Sequence, residues 1–380
     1  MNLESVTELL SALVSIDSVN PSLVPGAKGE AEIARFVGGW LEARGLEVTY
    51  QETGASGRPN VIAVARGAGG GRTLMLNAHL DTVGVAGMEA PFAASVRDGR
   101  LYGRGAQDTK SSLAAFMLAA VEARRLNLRG DVILAGVVDE EYASLGTQAL
   151  VGSCVAEAAI VGEPTDLELA VAHKGFVWLE VETRGVAAHG SRPAEGVDAI
   201  VKMGKVLIEL DELSGTLAHS GAHPLLGSGS VHASLIEGGH EMSSYPASCR
   251  LQVERRTLPG ENAVTCEAEL RRLLDGISAR DADFAASVRS TFERPPLEAS
   301  AGSPLVPLLL RRLGEQRGKA VQPSGITFWT DAALLNSAGI PSVVLGPSGG
   351  GLHGAVEWVE LESVLRCARA VLATAQDFCG

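Results

Sequence analysis

The chain has 380 residues, 46% hydrophobic and 20% charged, a length that allows one large core or two domains. Lysine and arginine total 32 against 45 aspartates and glutamates, and the formal net charge of -13 argues against a surface that follows nucleic-acid phosphates. The first residues lack a basic region with a long apolar run, and no segment approaches the roughly 18 apolar residues of a membrane span. We therefore expect a soluble, cytoplasmic protein with neither nucleic acid nor membrane as a partner.

The first part of the chain predicts alternating helices and strands. Residues 30–45 carry apolar side chains at helical spacing, and four short apolar runs, starting at Asn60, Thr73, Asp131 and Ala158, are typical of buried strands. A helix that begins near Asp108 lies between the second and third of these runs. Such alternation indicates a layered α/β domain.

The pattern changes at Phe176, where apolar and polar residues alternate as in a strand with two unlike faces. Two helices and two further strands follow, which makes a small α+β unit. In the first of these helices we expect Ile200, Met203, Leu207 and Leu210 to share one buried face. Apolar runs at Leu305 and Ile340 then resume the helix and strand pattern of the first part. We therefore predict an α/β domain over residues 1–173 and 295–380, interrupted by an inserted α+β domain over residues 174–294.

A histidine and an aspartate end the second predicted strand. His79 and Asp81 are two residues apart and so lie on the same side of it. One interpretation makes His79 a metal ligand while Asp81 hydrogen-bonds its other ring nitrogen. The other is an ordinary strand-end histidine beside a carboxylate, which this pair by itself favours.

Further polar residues follow the other predicted elements. Asp108 stands where a loop turns into a helix, either as a helix N-cap or as a bridge between two cations. Glu140 and Glu141 follow the third strand, and because adjacent strand residues face opposite ways, one can bind metal while the other moves a proton. Glu163 follows the fourth strand, and His353 stands in a glycine-rich loop that lacks a phosphate-binding motif.

Four carboxylates and two histidines thus collect at one edge of an α/β domain, where such sheets place their sites. Imidazole and carboxylate ligands without thiolate suit catalytic zinc, with cobalt or manganese as alternatives, and a cluster of this size suits two ions. The five scattered cysteines fit reduced thiols rather than a disulfide framework.

The chain resembles the co-catalytic zinc family of acetylornithine deacetylase, succinyl-diaminopimelate desuccinylase, aminoacylase-1 and carboxypeptidase G. Six ordered blocks carry the resemblance and span nearly the whole chain: AHLDTV, LYGRGAQDTKSS, DEE, VGEPT, HKGFVWLEVETRGVAAHGSRP and GLHG. The resemblance implies a layered mixed-sheet catalytic domain interrupted by a lid domain that often dimerises. We therefore expect a homodimer.

The resemblance also implies a role for each candidate residue. It makes Asp108 the bridge between two zinc ions, with His79 and Glu163 on one ion and Glu141 and His353 on the other. Asp81 is then expected to orient His79, and Glu140 to act as the general acid and base.

Two residues of the inserted domain have counterparts in the same family. His189 matches a histidine that in relatives reaches the partner subunit's active site and helps stabilise the oxyanion, although alone it would be an ordinary surface-loop residue. Arg256 matches an arginine that binds the substrate carboxylate, a group that suits the guanidinium fork. The adjacent Arg255 leaves open which of the two arginines meets the substrate.

The expected activity is removal of the acyl group from an N-acyl amino acid, and acetylornithine is the best single substrate, which implies a step of amino-acid biosynthesis. The nearest alternative is a carboxypeptidase or dipeptidase of the same family, and Glu163 fits the deacylase and carboxypeptidase branches without separating them. An alternative of another class is a zinc-stabilised binding protein, which would have no need of the spare base Glu140.

Overall fold

A computed structural model describes residues 1–221, 223–300 and 302–380 of the chain. The helices in these ranges are α1 (Leu3–Val14), α2 (Ala31–Glu42), α3 (Lys110–Arg125), α4 (Leu145–Val151), α5 (Ala199–His219), α6 (Ala263–Ser278), α7 (Leu305–Arg317), α8 (Ala332–Ser337) and α9 (Leu361–Cys379). The strands are β1 (Glu47–Gln51), β2 (Asn60–Ala65), β3 (Leu74–His79), β4 (Ser95–Arg97), β5 (Arg100–Tyr102), β6 (Val132–Val137), β7 (Ala158–Val161), β8 (Leu169–His173), β9 (Gly175–Arg184), β10 (Ser230–Gly238), β11 (Ser248–Thr257), β12 (Ala285–Arg294), β13 (Leu297–Glu298), β14 (Pro323–Ile326), β15 (Ser342–Val344), β16 (Gly349–Gly350) and β17 (Trp358–Glu360).

The chain forms two compact units. Unit 1 contains Met1–Val171, Ala299–Gly325 and Thr330–Gly380, and unit 2 contains Ala172–Glu298 and Ile326–Trp329. None of the helices described above is both long and apolar enough to cross a membrane.

Unit 1 is built on a mixed sheet in the order β1-β2-β6-β3-β7-β15-β8. Its central strands β6, β3, β7 and β15 run parallel to one another, and β3 and β6 are buried along their whole length. Parallel strands place their carboxyl ends at the same edge of a sheet. This arrangement confirms the predicted mixed-sheet α/β fold.

The register of β3 and β7 determines which residues meet at that edge. Asn77 of β3 pairs with Val161 of β7. Continuing the register by two residues places Glu163 level with His79.

Helix α3 fills the layer beside the sheet. It contacts α1, α9 and the strands β2, β3 and β6, and residues on every side of it are buried, among them Leu113, Phe116 and Met117. A helix that is buried all round belongs to the interior of a domain. Because α3 begins at Lys110 with Thr109 as its N-cap residue, the interpretation of Asp108 as an N-cap is wrong.

A second, small sheet of unit 1 has the order β16-β17-β5-β4. Within it β5 and β17 are antiparallel neighbours, with Tyr102 opposite Trp358 and Arg100 opposite Glu360. The loop that follows β5 and the loop that precedes β17 therefore leave the sheet side by side. These two loops carry Asp108 and His353.

Unit 2 contains an antiparallel sheet in the order β10-β11-β9-β12. Val177, Leu179 and Val181 of β9 are buried, as its alternating pattern predicts, and α5 and α6 pack against the sheet. Met203 and Leu210 of α5 are buried in this core and Leu207 packs against it, but Ile200, predicted on the same face, is 44% exposed. Ile200 lies to one side of the buried stripe of α5, which runs through Ala199, Met203, Val206 and Leu210.

We predict that Gly162→Ala lowers the free energy of unfolding by about 1–3 kcal/mol, because it overpacks a close contact between the end of β7 and α3. A Cβ at this position would lie 2.6 Å from the Cβ of Ser112 and 2.9 Å from the ring of Phe116. Denaturant titration measures the change.

The matched control is Gly215→Ala in the exposed part of α5, where an added Cβ meets nothing within 4 Å. Alanine in a helix interior is expected to raise the free energy of unfolding there by roughly 0.5–1 kcal/mol. A Gly162→Ala protein as stable as wild type would contradict the tight packing of β7 on α3.

Candidate metal centre

Five of the predicted ligands converge at the carboxyl edge of the unit 1 sheet. They form two groups that share one carboxylate, His79 with Asp108 and Glu163, and Asp108 with Glu141 and His353. In each group, one potential ligand atom from every residue lies within 4.8 Å of the others. We call them the His79 group and the His353 group.

In the His79 group the imidazole is almost fully buried. Its Nε2 atom lies 3.0 Å from Oδ1 of Asp108 and 3.8 Å from Oε1 of Glu163. Burial lowers the pKa of His79, but the hydrogen bond to Asp108 and the nearby carboxylates of Asp81 and Glu163 outweigh it and hold that pKa well above its ordinary value. The ring is therefore surrounded by negative charge.

The other ring nitrogen of His79 is held by the main chain. Nδ1 lies 2.9 Å from the main-chain oxygen of Asp81, whereas the carboxylate oxygen Oδ1 of Asp81 is 3.6 Å away. Because a carbonyl oxygen can only accept, Nδ1 must donate, and in a neutral ring the lone pair lies on Nε2, where a metal would bind. Asp81 thus orients His79 chiefly through its main chain rather than through the carboxylate that the sequence suggested.

In the His353 group, Nε2 of His353 lies 3.3 Å from Oδ2 of Asp108 and 3.3 Å from Oε2 of Glu141. The two oxygens of Asp108 therefore face different histidines, Oδ1 towards His79 and Oδ2 towards His353. This is the arrangement that a carboxylate needs to bridge two cations.

The charges at the carboxyl edge of the unit 1 sheet favour bound cations. Burial, together with neighbouring carboxylates, raises the pKa of Glu140 and Glu163 well above the ordinary value and that of Glu141 to about 7. Burial also acts to raise the pKa of Asp108, but hydrogen bonds to His353 and His79 outweigh it and hold that pKa well below its usual range. Imidazole and carboxylate donors without thiolate are the set that catalytic zinc uses, so the residues present fit a dinuclear zinc centre.

The carboxylate of Asp81 is directed at the acidic pair instead. It accepts hydrogen bonds from the main-chain N–H of Glu140 and of Glu141, each over 3.1 Å, and from the side-chain amide of Asn20 over 2.8 Å. Asp81 therefore positions Glu140, the predicted base, and Glu141, a predicted ligand. Glu140 belongs to neither ligand group among the described residues.

A buried hydrogen-bond network that the sequence did not predict holds the side chain of Asp81 in place. Arg58 donates to Glu30 and Asp139 over 2.6 and 2.9 Å, and Nη2 of the same arginine donates to the side-chain oxygen of Asn20 over 3.1 Å. The arginine thus forms ion pairs with two buried carboxylates while it orients the amide that reaches Asp81. No local pattern in the sequence links residues so far apart.

A second pair that sequence reasoning missed, Arg104 and Glu357, supports Asp108. Main-chain N–H groups of Gln107 and Asp108 donate to the buried carboxylate of Glu357, over 2.9 and 3.1 Å. The available signal was that Arg104 falls inside the block LYGRGAQDTKSS and Glu357 just after GLHG.

The two predicted residues of the inserted segment lie in unit 2. His189 is exposed, and its Nδ1 lies 2.8 Å from the hydroxyl oxygen of Ser191 and 3.2 Å from the main-chain nitrogen of the same residue. When Nδ1 accepts that N–H, the proton of the neutral ring lies on Nε2, which can donate to an external oxygen. The Arg255 side chain is 1% exposed and donates to Glu261 and Glu269, whereas the Arg256 side chain is 34% exposed.

Comparisons with known proteins agree with this chemistry. Residues 75–377 match the sequence profile of peptidase family M20/M25/M40. Acetylornithine deacetylase of Myxococcus xanthus is 31% identical, covering 100% of this chain and 98% of that protein, and that of Edwardsiella ictaluri is 30% identical, covering 91% and 90%. Among solved structures, the aminopeptidase PepT of Bacillus cereus superposes with a TM-score of 0.81 at 22% identity and full coverage of both chains. A dinuclear metal-binding M20 peptidase of Bacillus subtilis superposes with a TM-score of 0.78 at 16% identity, covering 99% and 98%.

We predict that Asp108→Ala weakens the binding of two zinc ions and His353→Ala the binding of only one. Because Asp108 is shared, Asp108→Ala should weaken both ions, whereas His353→Ala should weaken one, in each case by more than the roughly 10–100-fold that supporting residues contribute. Calorimetric titration of zinc into chelator-treated protein measures both affinities. The control is His240→Ala, an exposed histidine of unit 2. Two tight ions in Asp108→Ala would contradict a shared carboxylate.

Proposed function

Because this chain belongs to peptidase family M20/M25/M40, we propose that it is a dinuclear zinc amidohydrolase that removes the acyl group from an N-acyl amino acid. The chain is a metal-dependent hydrolase of this family. N-acetylornithine is the first substrate to test, since the relatives that match over nearly the whole chain are acetylornithine deacetylases. Such an activity would serve amino-acid biosynthesis in the cytoplasm, where the five free cysteines would stay reduced.

The observation that carries the proposal is the pair of ligand groups that share Asp108, with a further carboxylate, Glu140, beside them. A structural metal site needs a closed set of ligands and no additional base. Here Asp81 holds the main chain of Glu140 and of Glu141 with one carboxylate. The centre therefore combines two places for cations with a separate proton acceptor, as amide hydrolysis requires.

When bound, two zinc ions would lower the pKa of a bound water towards about 7 and polarise the amide carbonyl. Glu140 would take the proton of the attacking water and return it to the leaving amine. His79 is held in the tautomer that keeps Nε2 towards the centre, and Asp108 keeps its two oxygens on opposite sides. These residues would thus align the nucleophile with the scissile bond before reaction.

The substrate carboxylate is assigned to Arg256. Its guanidinium is partly exposed, with Nε on Glu254 over 2.6 Å and the plane over the ring of Phe176. Arg255, in contrast, is buried and engaged with two glutamates. The exposure supports Arg256 as the arginine that a ligand can reach.

A homodimer is the proposed assembly, and unit 2 is its proposed interface. Strand β10 is an edge of its sheet, and Leu235 and Ile236 on it are 64% and 54% exposed. On α5, which packs against β10, Val201 and Ile208 are each 62% exposed. An exposed edge strand beside apolar side chains is a surface that commonly pairs with another chain.

The alternatives are kept for specific reasons. A carboxypeptidase or dipeptidase would use the same centre on a peptide bond, and the solved structures with the same fold include peptidases. A zinc-stabilised binding protein without catalysis is disfavoured by Glu140, which such a protein would not need.

We predict that Glu140→Gln retains both zinc ions but loses turnover, because the amide cannot accept the proton of the attacking water. The measurement is free-amine release by zinc-loaded protein from matched N-acetyl and N-succinyl amino acids, with simple dipeptides alongside, and zinc content of the same samples. Chelator is expected to abolish the wild-type rate.

The panel separates the candidate functions. Wild-type turnover of one N-acyl class supports the deacylase, whereas activity confined to dipeptides makes the protein a peptidase. Metal-loaded protein that is inert on the whole panel favours the binding protein. Loss of zinc in Glu140→Gln would mean that the roles of Glu140 and Glu141 are exchanged.

We predict that His189→Ala lowers turnover by roughly a hundred- to a thousandfold, the usual effect of removing one oxyanion donor. The proposed donor is the Nε2–H of His189, in the tautomer whose Nδ1 accepts the N–H of Ser191. Light scattering of the same samples reports the oligomeric state. A wild-type rate in His189→Ala, or a wild-type enzyme that is active as a monomer, would remove the proposed role of the partner subunit.

A further inference from the structure

A fully buried ion pair lies behind the two loops that carry Asp108 and His353. Arg104 is 2% exposed and Glu357 is 1% exposed, and Nη1 of Arg104 donates to Oε2 of Glu357 over 2.6 Å. The attraction within a buried ion pair does not always offset the cost of removing both charges from water. The pair is therefore better explained by what it positions than by stability.

Glu357 binds the main chain of the loop that carries Asp108, the ligand shared by both groups. Its Oε1 accepts the main-chain N–H groups of Gln107 and Asp108, over 2.9 and 3.1 Å. Its Oε2 accepts the N–H of Gly105 over 3.1 Å as well as Arg104. Four donors thus converge on one carboxylate and fix the main chain of the turn at Asp108.

Arg104 reaches the loops on either side with its remaining nitrogens. Nη2 donates to the main-chain oxygen of Gly354 over 3.1 Å, and Gly354 directly follows His353. Nε donates to the main-chain oxygen of Gly84 over 3.1 Å, three residues beyond Asp81. One planar guanidinium therefore joins the segments after β3 and β5 to the loop that precedes β17.

The small sheet explains why these two residues meet. Arg104 lies two residues after β5, and Glu357 immediately precedes β17, the antiparallel neighbour of β5. Strand pairing brings the two side chains together, although they are 253 positions apart in the chain. Asp108 and His353 extend from the same two strands.

We infer that Arg104 and Glu357 are positioning residues that hold the loops of Asp108 and His353 so that both ligand groups can bind a metal ion. Glu357 holds Asp108, the ligand of both groups, and Arg104 holds the loop of His353, a ligand of one group. The inference rests on the proposed function, because it presupposes that both groups bind an ion. It assigns to each residue a different effect on the two ions.

The test is calorimetric titration of zinc into chelator-treated protein, as wild type and as two variants. Glu357→Gln should lower the affinity of both ions by roughly 10–100-fold, because it disturbs Asp108. Arg104→Lys keeps the charge opposite Glu357, but a single ammonium cannot reach the oxygens of Gly354 and Gly84 as well. It should lower the affinity of the His353 group by roughly 10–100-fold and leave the His79 group unchanged.

The matched control is Arg255→Lys in unit 2. Arg255 is also buried, and each of its three guanidinium nitrogens donates a hydrogen bond, to Glu269, Glu261 and the main-chain oxygen of Arg256. This variant should lower the melting temperature while both zinc affinities stay at the wild-type value. A melting scan of all the variants separates lost stability from lost positioning.

The outcomes distinguish this inference from the proposed function. Wild-type affinities in both Glu357→Gln and Arg104→Lys overturn the inference, as does an Arg255→Lys protein that loses zinc equally. Wild-type protein that binds fewer than two ions overturns the proposed function, and the inference with it.

If Glu357→Gln does not fold, as circular dichroism would show, the double variant Arg104→Met with Glu357→Gln takes its place. Removing both charges of a buried pair is often tolerated, but glutamine has one acceptor oxygen where Glu357 has two and so cannot hold the N–H groups of Gly105, Gln107 and Asp108 together. This variant should fold and bind both ions more weakly than wild type. Full zinc affinity in it overturns the inference.

Discussion

Negative charge collected at the carboxyl ends of β6, β3 and β7 is the constraint on which the rest of unit 1 depends. Parallel pairing brings Glu140, Glu141 and Glu163 to the edge where β3 ends, and burial raises the pKa of each carboxyl. Repulsion among buried carboxylates would spread them apart unless cations or fixed donors oppose it. Asp81 and Glu357 accept the main-chain N–H groups of Glu140, Glu141 and Asp108. The backbone that carries these residues is therefore fixed, while bound cations would offset the charge of their side chains.

The parts of the centre that follow buried strands could be predicted from the sequence. β3, β6 and β7 are short apolar runs whose length and composition indicate buried strands, and the polar residues that follow them must converge if the strands are parallel. His79 and Glu163 illustrate this, since one ends β3 and the other comes two residues after β7. The pairing of ligands into two groups came from family resemblance, because spacing along the chain does not show which ligands are close in space.

The supporting residues could not be predicted, for physical reasons. β5 and β17 are three residues each, too short for any periodicity, so the pairing that joins Arg104 to Glu357 leaves no local pattern. The main-chain oxygen that orients His79 depends on how the backbone turns after β3, which side-chain identity does not encode. The exposed position of Ile200 reflects a buried stripe of α5 that is centred nearer to Ala199 and Val206, which helical spacing does not fix when residues on both sides of the stripe are apolar.

The division of unit 1 into separate chain segments has a consequence for how the protein is made. His79, Asp108 and Glu163 precede unit 2 in the chain, whereas His353 follows it. Because a chain is synthesised from its amino terminus, the three residues of the His79 group are made before unit 2. The last residue of the His353 group is made only after nearly all of unit 2. The His353 group is therefore the later of the two to be complete during synthesis.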